Sequence, residues 1–169
     1  MYSHLQGINV GSGPHYADGW FNIDISEPPI GKAPDLLIDI HALHYEFDQH
    51  QFEKAYVGHV LEHIEWGREV EDAIHNIAYI AKTVMVVGPC LDKAHATNQP
   101  EWLLRQIEAN PNHGDDPGEH KWTPTEQLTA QAITDAGYTP QIVGIATVTL
   151  PDWPNPDTSP WQTAMWFTT

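Results

Sequence analysis

A histidine-rich segment in the middle of the chain holds the side chains best suited to chemistry. His59, Glu62 and His63 stand close together in the order His-x-x-Glu-His. Imidazole and carboxylate groups can move protons or bind a divalent metal near neutral pH. No third ligand follows at a clear spacing, so we expect no metal here. We predict instead that His59 contacts a substrate or cofactor, and that Glu62 and His63 brace the local turn.

A pair of glycines near the start of the chain gives a second chemical signal. Gly11-Ser12-Gly13 follows a short apolar run, and Asp24 lies near the end of the next one. Glycine lets the backbone turn sharply and approach a ligand closely. An acid after the next strand can bind the two hydroxyls of a ribose. The two features together predict a nucleoside-containing ligand across the carboxyl ends of neighbouring strands, although a simple tight turn would also use such glycines.

Short apolar runs separated by turn residues predict the strands that carry these side chains. A continuous apolar run at 84–87 is typical of a central strand buried on both faces. Two antiparallel strands separated by a proline-rich loop are expected to end the chain. The final pair lies at 141–150 and 161–167, and the other predicted strands lie at 5–10, 20–25, 36–40 and 52–57.

Helices are predicted only after the first four predicted strands, apart from one helical turn within 41–51. An apolar stripe predicts a helix over 66–81, and a second helix is expected at 100–109. Thr123-Pro124-Thr125-Glu126 matches a capping box with proline at the first helical position, for a helix that stops at Gly137. The long polar segment 110–119 is a candidate lid over the site.

The composition indicates one acidic α/β domain spanning residues 1–169. A net charge of −16 with only seven Lys and Arg makes nucleic acid an improbable partner, because phosphate neutralisation dominates that affinity. A small substrate or a basic partner fits this charge better. No apolar run is long enough to span a membrane, and no signal peptide is evident. Together with the single Cys90, this leads us to expect a cytoplasmic protein.

The order of these motifs resembles the class I S-adenosylmethionine-dependent methyltransferases, and in particular the small predicted methyltransferases of the type 11 kind. The resemblance rests on Asn-Val-Gly-Ser-Gly-Pro, Gly-Trp-Phe-Asn-Ile-Asp-Ile and His-Val-Leu-Glu-His-Ile, and it extends over roughly residues 5 to 168. It implies a single Rossmann-like domain whose central sheet is mostly parallel, with an antiparallel C-terminal strand. It also implies S-adenosylmethionine as cofactor and a small-molecule acceptor methylated on oxygen or nitrogen.

The resemblance also assigns roles to individual residues. Gly11, Ser12 and Gly13 would lie against the methionine part of the cofactor, with Asn9 where many relatives carry an acid. Gly58 and His59 would line the methionine and the sulfonium, and His120 would act as a base or contact the acceptor. The positions implied for the ribose, the adenine and its amino group are, in chain order, Asp24, Ile25, Asp39 and Ile40.

The sequence departs from this family between the first three strands. Only 11–19 and 26–35 are available there, and both are rich in turn residues, so the usual helices are expected to be missing. The Trp- and Pro-rich tail, or a second copy of the chain, would then cover the exposed sheet face. One alternative is an inactive nucleoside-binding module that acts as a regulatory or partner subunit. A nicotinamide dehydrogenase, which lacks its third glycine here, and a zinc hydrolase are weaker alternatives.

Overall fold

A computed structural model describes residues 5–108, 120–143, 159 and 161–169 of the chain. Its seven strands are β1 (Ile8–Val10), β2 (Phe21–Asp24), β3 (Leu36–Leu37), β4 (Phe52–Gly58), β5 (Ala81–Pro89), β6 (Gln141–Val143) and β7 (Gln162–Thr168). Its α-helices are α1 (Leu43–Glu46), α2 (Arg68–Ile80), α3 (Leu91–Ala96), α4 (Glu101–Ile107) and α5 (Glu126–Asp135). Two single 3-10 turns, Ile40–Ala42 and Leu61–His63, follow β3 and β4.

The strands form one sheet in the order β3-β2-β1-β4-β5-β7-β6. The first five strands along the chain run parallel to one another, and β7 is antiparallel to both β5 and β6. This confirms the predicted α/β domain with its mostly parallel sheet and antiparallel C-terminal strand. Helices are also missing from 11–20 and 25–35, as predicted, because these links contain only turns, bends and irregular chain.

One face of the sheet is covered by helices in the usual way. The predicted stripe of α2 is fully used, since Val70, Ile74 and Ile77 are each no more than 1% exposed. They pack with Ile8 and Val84 of the sheet in the main core. Burying each of these side chains contributes roughly 1.5–3 kcal/mol to folding, so this face supplies much of the stability of the domain.

The opposite face changes character across the sheet. Cross-strand partners place Asn22, Asn9, Tyr56 and Met85 side by side in one row. Over β4 and β5 the row is apolar, and Trp20 from the β1–β2 link packs there in a second cluster. Over β1 and β2 the row is polar, with two buried asparagines where a covering helix would require apolar residues. This explains how the sheet does without helices between its first strands.

That second cluster is already buried within a single chain, since none of its five buried members exceeds 7% exposure. These residues therefore do not need a second copy of the chain to cover this face of the sheet. Coverage by a second copy stays a prediction. The tail residues that were the other predicted cover, 151–158 and 160, lie outside the described residues. No helix among the described residues is long and apolar enough to cross a membrane.

Several predicted boundaries were wrong. Helix α5 begins at Glu126 because Thr125, not Thr123, is its cap and accepts the Leu128 amide at 3.1 Å. The third strand stops at Leu37 because the Asp39 carboxylate caps the following 3-10 turn. Helix α4 likewise has Pro100 as its cap rather than its first residue.

Other predictions on the elements have mixed outcomes. The short helix α3 was not predicted at all. The single helical turn expected within 41–51 is confirmed by α1. The expected lid at 110–119 and most of the strand expected at 141–150 lie outside the described residues.

Candidate active site

The carboxyl ends of β1, β2, β4 and β5 meet at one edge of the sheet. The strand order reverses between β1 and β4, since β2 lies on one side of β1 and β4 on the other. In open α/β sheets, ligands bind in the crevice outside such a reversal. The glycine loop, Asp24 and the histidine-rich turn all follow these strands. The fold therefore brings together the two chemical signals of the sequence.

The glycine loop is anchored at the end of β2. The amides of Gly11 and Ser12 both donate to the Ile23 carbonyl at 3.0 Å. The Gly13 amide donates to Asp24 Oδ2 at 2.7 Å, while the Ser26 amide donates to Oδ1 at 3.2 Å. An ionised carboxylate offers about four acceptor sites, so Asp24 retains acceptor capacity for a ligand.

Both glycines of this loop have left-handed backbone conformations, and each meets different surroundings. At Gly11, φ is +68°, and a Cβ would collide with the Val60 side chain. At Gly13, φ is +48°, and a Cβ would meet nothing within 4 Å. Gly11 therefore lets the loop pack on the turn after β4, whereas Gly13 borders open space that a ligand could use.

Ser12 adds an independent indication of a ligand. The residue is 3% exposed, and its Oγ has no hydrogen-bond partner among the described residues. A buried hydroxyl without a partner costs roughly 1–3 kcal/mol, so a polar ligand beside the loop would relieve that cost. The Ser12 hydroxyl and the remaining acceptor capacity of Asp24 are polar groups that a ligand at this edge could use.

Asn9 is occupied by the scaffold. It is 3% exposed, and its Nδ2 donates to Asn22 Oδ1 at 2.9 Å and to the His15 carbonyl at 3.2 Å. Asn22 in turn donates to the Ala17 and Trp20 carbonyls. The pair thus organises the β1–β2 link from beneath, and a cofactor contact by Asn9 stays a prediction.

The residues predicted to hold the adenine lie at the open rim of the sheet. Ile25 is 69% exposed and Asp39 is also exposed. Asp39 Oδ1 accepts the His41 amide at 2.8 Å, which fixes the turn that contains Ile40. These three residues therefore lie at the carboxyl edge of the sheet, and the described residues form no enclosed pocket around them. Their contact with an adenine stays a prediction.

Gly58 ends β4, and His59 follows it in a strained conformation. The His59 φ of +57° is uncommon for a residue other than glycine, and such strain is often found at functional sites. Its amide donates to the Val87 carbonyl at 2.8 Å. Its ring lies between two partners, with Nε2 2.8 Å from Gln162 Nε2 and Nδ1 3.4 Å from Glu62 Oε1.

Glu62 is a buried acid beneath this histidine. The residue is 3% exposed, and its Oε1 has no hydrogen bond among the described residues. His59 Nδ1 lies 3.4 Å from this oxygen, within ion-pair distance. Burial acts to raise the pKa of Glu62, but the interactions with His59 and His63 outweigh it and hold that pKa below its usual range. The carboxyl group is therefore ionised at neutral pH, in the interior of the protein.

His120 reaches this acid from a distant part of the sequence. The Lys121 amide donates to the Glu62 carbonyl at 2.7 Å, and Trp122 Nε1 donates to the Leu61 carbonyl at 3.0 Å. These bonds hold His120 beside His63, with ring centroids 5.1 Å apart. Burial is the main cause of a lowered pKa for His120, which favours its neutral imidazole.

Gln162 and Trp161 belong to the site but were not found from the sequence. Gln162 is 1% exposed and contacts His59, and the Trp161 ring lies 6.1 Å from the His59 ring. Both lie at the start of β7, whose position next to β5 is a property of the sheet order. A glutamine and a tryptophan before a final strand give no local signal of such a role.

Solved structures share this fold over nearly the whole chain. A SAM-dependent methyltransferase from Archaeoglobus fulgidus matches at a TM-score of 0.59 and 11% identity, over 99% of this chain and 89% of that one. An S-adenosylmethionine-dependent methyltransferase from Mesorhizobium loti gives 0.54 and 14%, over 96% and 89%. The chain has the class I methyltransferase fold. A further match is a complex of the Haloferax volcanii Trm112 methyltransferase activator with a chain described as a methyltransferase (0.56, 12% identity, 98% and 83%). No protein-family model and no curated protein matches the sequence.

Proposed function

We propose that this protein is a methyltransferase that binds S-adenosylmethionine at the carboxyl edge of its sheet and methylates a small acceptor on oxygen or nitrogen. The observation that carries the proposal is the glycine loop on Asp24, with a buried Ser12 hydroxyl that lacks a partner and open space beside Gly13. The class I methyltransferase fold of the chain supports the same function.

Each part of this edge has a role in the proposal. Asp24 would accept from the ribose hydroxyls, and Ile25, Asp39 and Ile40 would border the adenine. Gly11, Ser12 and Gly13 would hold the methionine part, with Asn9 beneath them, and Gly58 and His59 would complete that wall. The cofactor supplies an electrophilic methyl group, so the protein contributes mainly by aligning the acceptor with it.

His59 and His120 are the proposed catalytic residues. A neutral His120 can accept a proton from a hydroxyl or a protonated amine, and the cause of its lowered pKa, burial, favours that neutral form. The His59 ring is held by Gln162 on one side and faces Glu62 on the other. Because these contacts hold the His59 ring in place, His59 is suited to orient an acceptor or cofactor.

An inactive binding module remains the second candidate function. The two ring nitrogens of His59 face partners within the protein, and the link between β1 and β2 carries no helix. A protein that kept the cofactor and lost turnover would act through a partner subunit. A second copy of this chain, or an activator protein like the one bound to the Haloferax volcanii neighbour, is the proposed kind of partner.

Calorimetric titration with S-adenosylmethionine and S-adenosylhomocysteine tests the proposal. We expect the wild-type chain to bind both and the Asp24→Ala variant to lose binding. Asp18→Ala is the matched control, because this carboxylate lies in the link just before β2 and its side chain is 98% exposed. Binding without methyl transfer to any acceptor would favour the inactive module. A folded wild-type protein that binds neither compound would refute both candidates.

A further inference from the structure

We propose that Glu62, His63 and His120 form a binding site for one divalent transition-metal ion, for which Zn²⁺ is the best-fitting candidate. Each residue offers one ligand atom, and these three atoms all lie within 4.8 Å of one another. The site stands without the proposed methyl transfer, because it depends only on these side chains. Only its use, given last below, rests on that function.

The ligand set favours a transition metal. Two imidazoles with one carboxylate form the three-protein-ligand set of open zinc sites, whereas Mg²⁺ and Ca²⁺ prefer oxygen ligands alone. Ligand atoms about 2.1 Å from a tetrahedral ion stand roughly 3.4 Å apart. The cluster must therefore contract by at most about 1.4 Å, and small shifts of the partly exposed His63 and His120 side chains can provide this.

The hydrogen bond of His120 leaves its Nε2 as the nitrogen that can bind a metal ion. Its Nδ1 lies 2.9 Å from the Ile107 carbonyl oxygen, which can only accept, so Nδ1 carries the proton. The lone pair of the neutral ring is then on Nε2. Metal-binding histidines commonly donate their other N–H to a backbone carbonyl in this way. The scaffold thus holds His120 in the tautomer that a metal ion requires.

The buried Glu62 carboxylate supplies an independent reason. The residue is 3% exposed, and its Oε1 lacks a hydrogen bond among the described residues. A buried carboxylate oxygen without a hydrogen bond is costly to maintain. A divalent cation bound to this carboxylate would offset that cost.

The fold assembles the third ligand, which the sequence could not supply. His63 closes the 3-10 turn after β4, and the bonds of Lys121 and Trp122 to that turn place His120 next to it. His59 Nδ1 faces the same carboxylate from the other side at 3.4 Å and would orient it. The expectation of no metal was based on spacing within one segment, whereas the third ligand comes from beyond residue 119.

A direct test measures metal binding in untagged, EDTA-treated protein without cofactor. We expect one Zn²⁺ per chain by calorimetry, Co²⁺ to give the visible absorption of a low-symmetry site, and Mg²⁺ to bind far more weakly. His63→Ala, His120→Ala and Glu62→Gln should each weaken Zn²⁺ binding by at least about 10–100-fold. His95→Ala is the control, since this exposed histidine lies outside the cluster.

The outcomes separate the site from adventitious binding. Circular dichroism establishes whether each variant folds. If a histidine variant does not fold, Glu62→Gln still tests the site, because it preserves the shape of the side chain. Unchanged Zn²⁺ affinity in the folded His63→Ala and His120→Ala variants would overturn the proposal. An equal loss in His95→Ala, or tighter binding of Mg²⁺ than Zn²⁺, would also overturn it.

The use of such an ion follows from its position, if the proposed methyl transfer is correct. Three protein ligands leave a fourth position for a water molecule or an acceptor atom. An acceptor hydroxyl bound there would lose its proton to solvent more readily, with His120 acting as a metal ligand rather than as the base, and this would favour oxygen methylation. If the protein binds Zn²⁺ but not the cofactor, the proposed methyl transfer is rejected and the metal site is retained. If it binds the cofactor but not Zn²⁺, the metal site is rejected and the proposed methyl transfer is retained.

Discussion

Asn9 and Asn22 are cross-strand partners, and Asn9 Nδ2 donates to Asn22 Oδ1 at 2.9 Å beside a β1–β2 link that contains no helix. Asn22 Oδ1 also accepts the Ala17 amide, and its Nδ2 donates to two carbonyls of the same link. The pair stands where a class I domain would bury apolar residues beneath a helix. A short polar link can therefore close over β1 and β2 without exposing an apolar surface.

Removal of Asn22 should destabilise the domain more than removal of Asn9. Asn22→Ala removes one hydrogen bond each from the Ala17 amide, the Ala17 and Trp20 carbonyls and Asn9, so we expect a loss of about 3 kcal/mol in the free energy of unfolding. Asn9→Ala should cost about half as much. Urea unfolding of both single variants and the double variant measures this. Fully additive losses would contradict the direct coupling that we infer from the contact.

The two glycines of the loop should respond differently to alanine. Each substitution forces alanine into a left-handed conformation at a cost of about 1–2 kcal/mol, and Gly11→Ala adds a collision with Val60. We therefore expect Gly11→Ala to be the more destabilising in urea unfolding. Gly13→Ala should unfold only slightly more easily yet weaken S-adenosylhomocysteine binding, because its methyl group enters the open space of the proposed site.

Gly137→Ala provides the control for that comparison. Gly137 has a φ of +86° and no atom within 4 Å of an added Cβ, and it lies at the end of α5. It should show a loss of stability similar to that of Gly13→Ala with unchanged ligand binding. Equal ligand affinity in Gly13→Ala and Gly137→Ala would remove the loop from the proposed site.

The stability of metal-free protein should fall in acid partly through Glu62. Its pKa is lowered on folding from an ordinary value of 4.5, so its contribution is present above that value and is lost as the pH falls through the folded pKa. Glu62→Gln should be less stable than wild type at pH 7. The difference in free energy of unfolding between wild type and Glu62→Gln should narrow below pH 4.5, as measured by urea unfolding at several pH values. A difference that stays constant with pH would show that Glu62 is not ionised in the folded protein.

His120 should contribute a second pH dependence at higher pH. Its pKa is also lowered on folding, from an ordinary value of 6.5, so the unfolded chain binds more protons just below that pH. Stability is then complete above pH 6.5 and declines as the pH falls toward the folded pKa. His120→Asn should flatten the stability curve in this interval, with His95→Asn as the exposed control. An unaltered slope in His120→Asn would contradict the burial of this ring.

The cap of α5 distinguishes the sequence prediction from the structure. Thr125 Oγ1 accepts the Leu128 amide at 3.1 Å, whereas the capping-box motif placed the cap at Thr123. Thr125→Ala should cost about 1 kcal/mol, measured by thermal or urea unfolding, and Thr123→Ala clearly less. A larger loss of stability in Thr123→Ala than in Thr125→Ala would instead support Thr123 as the cap of α5.

The sequence by itself determined the strands, the α2 stripe, the missing helices and the class of fold, because these depend on local periodicity and on turn residues. It also placed Gly11, Gly13 and Asp24 at one edge, since strand ends of a parallel sheet meet there. Only the tertiary structure decided that Asn9 faces Asn22 and that Gln162 and His120 reach the turn after β4. Those contacts join segments far apart in the chain, and side-chain direction across a sheet depends on register and strand order rather than on any local pattern.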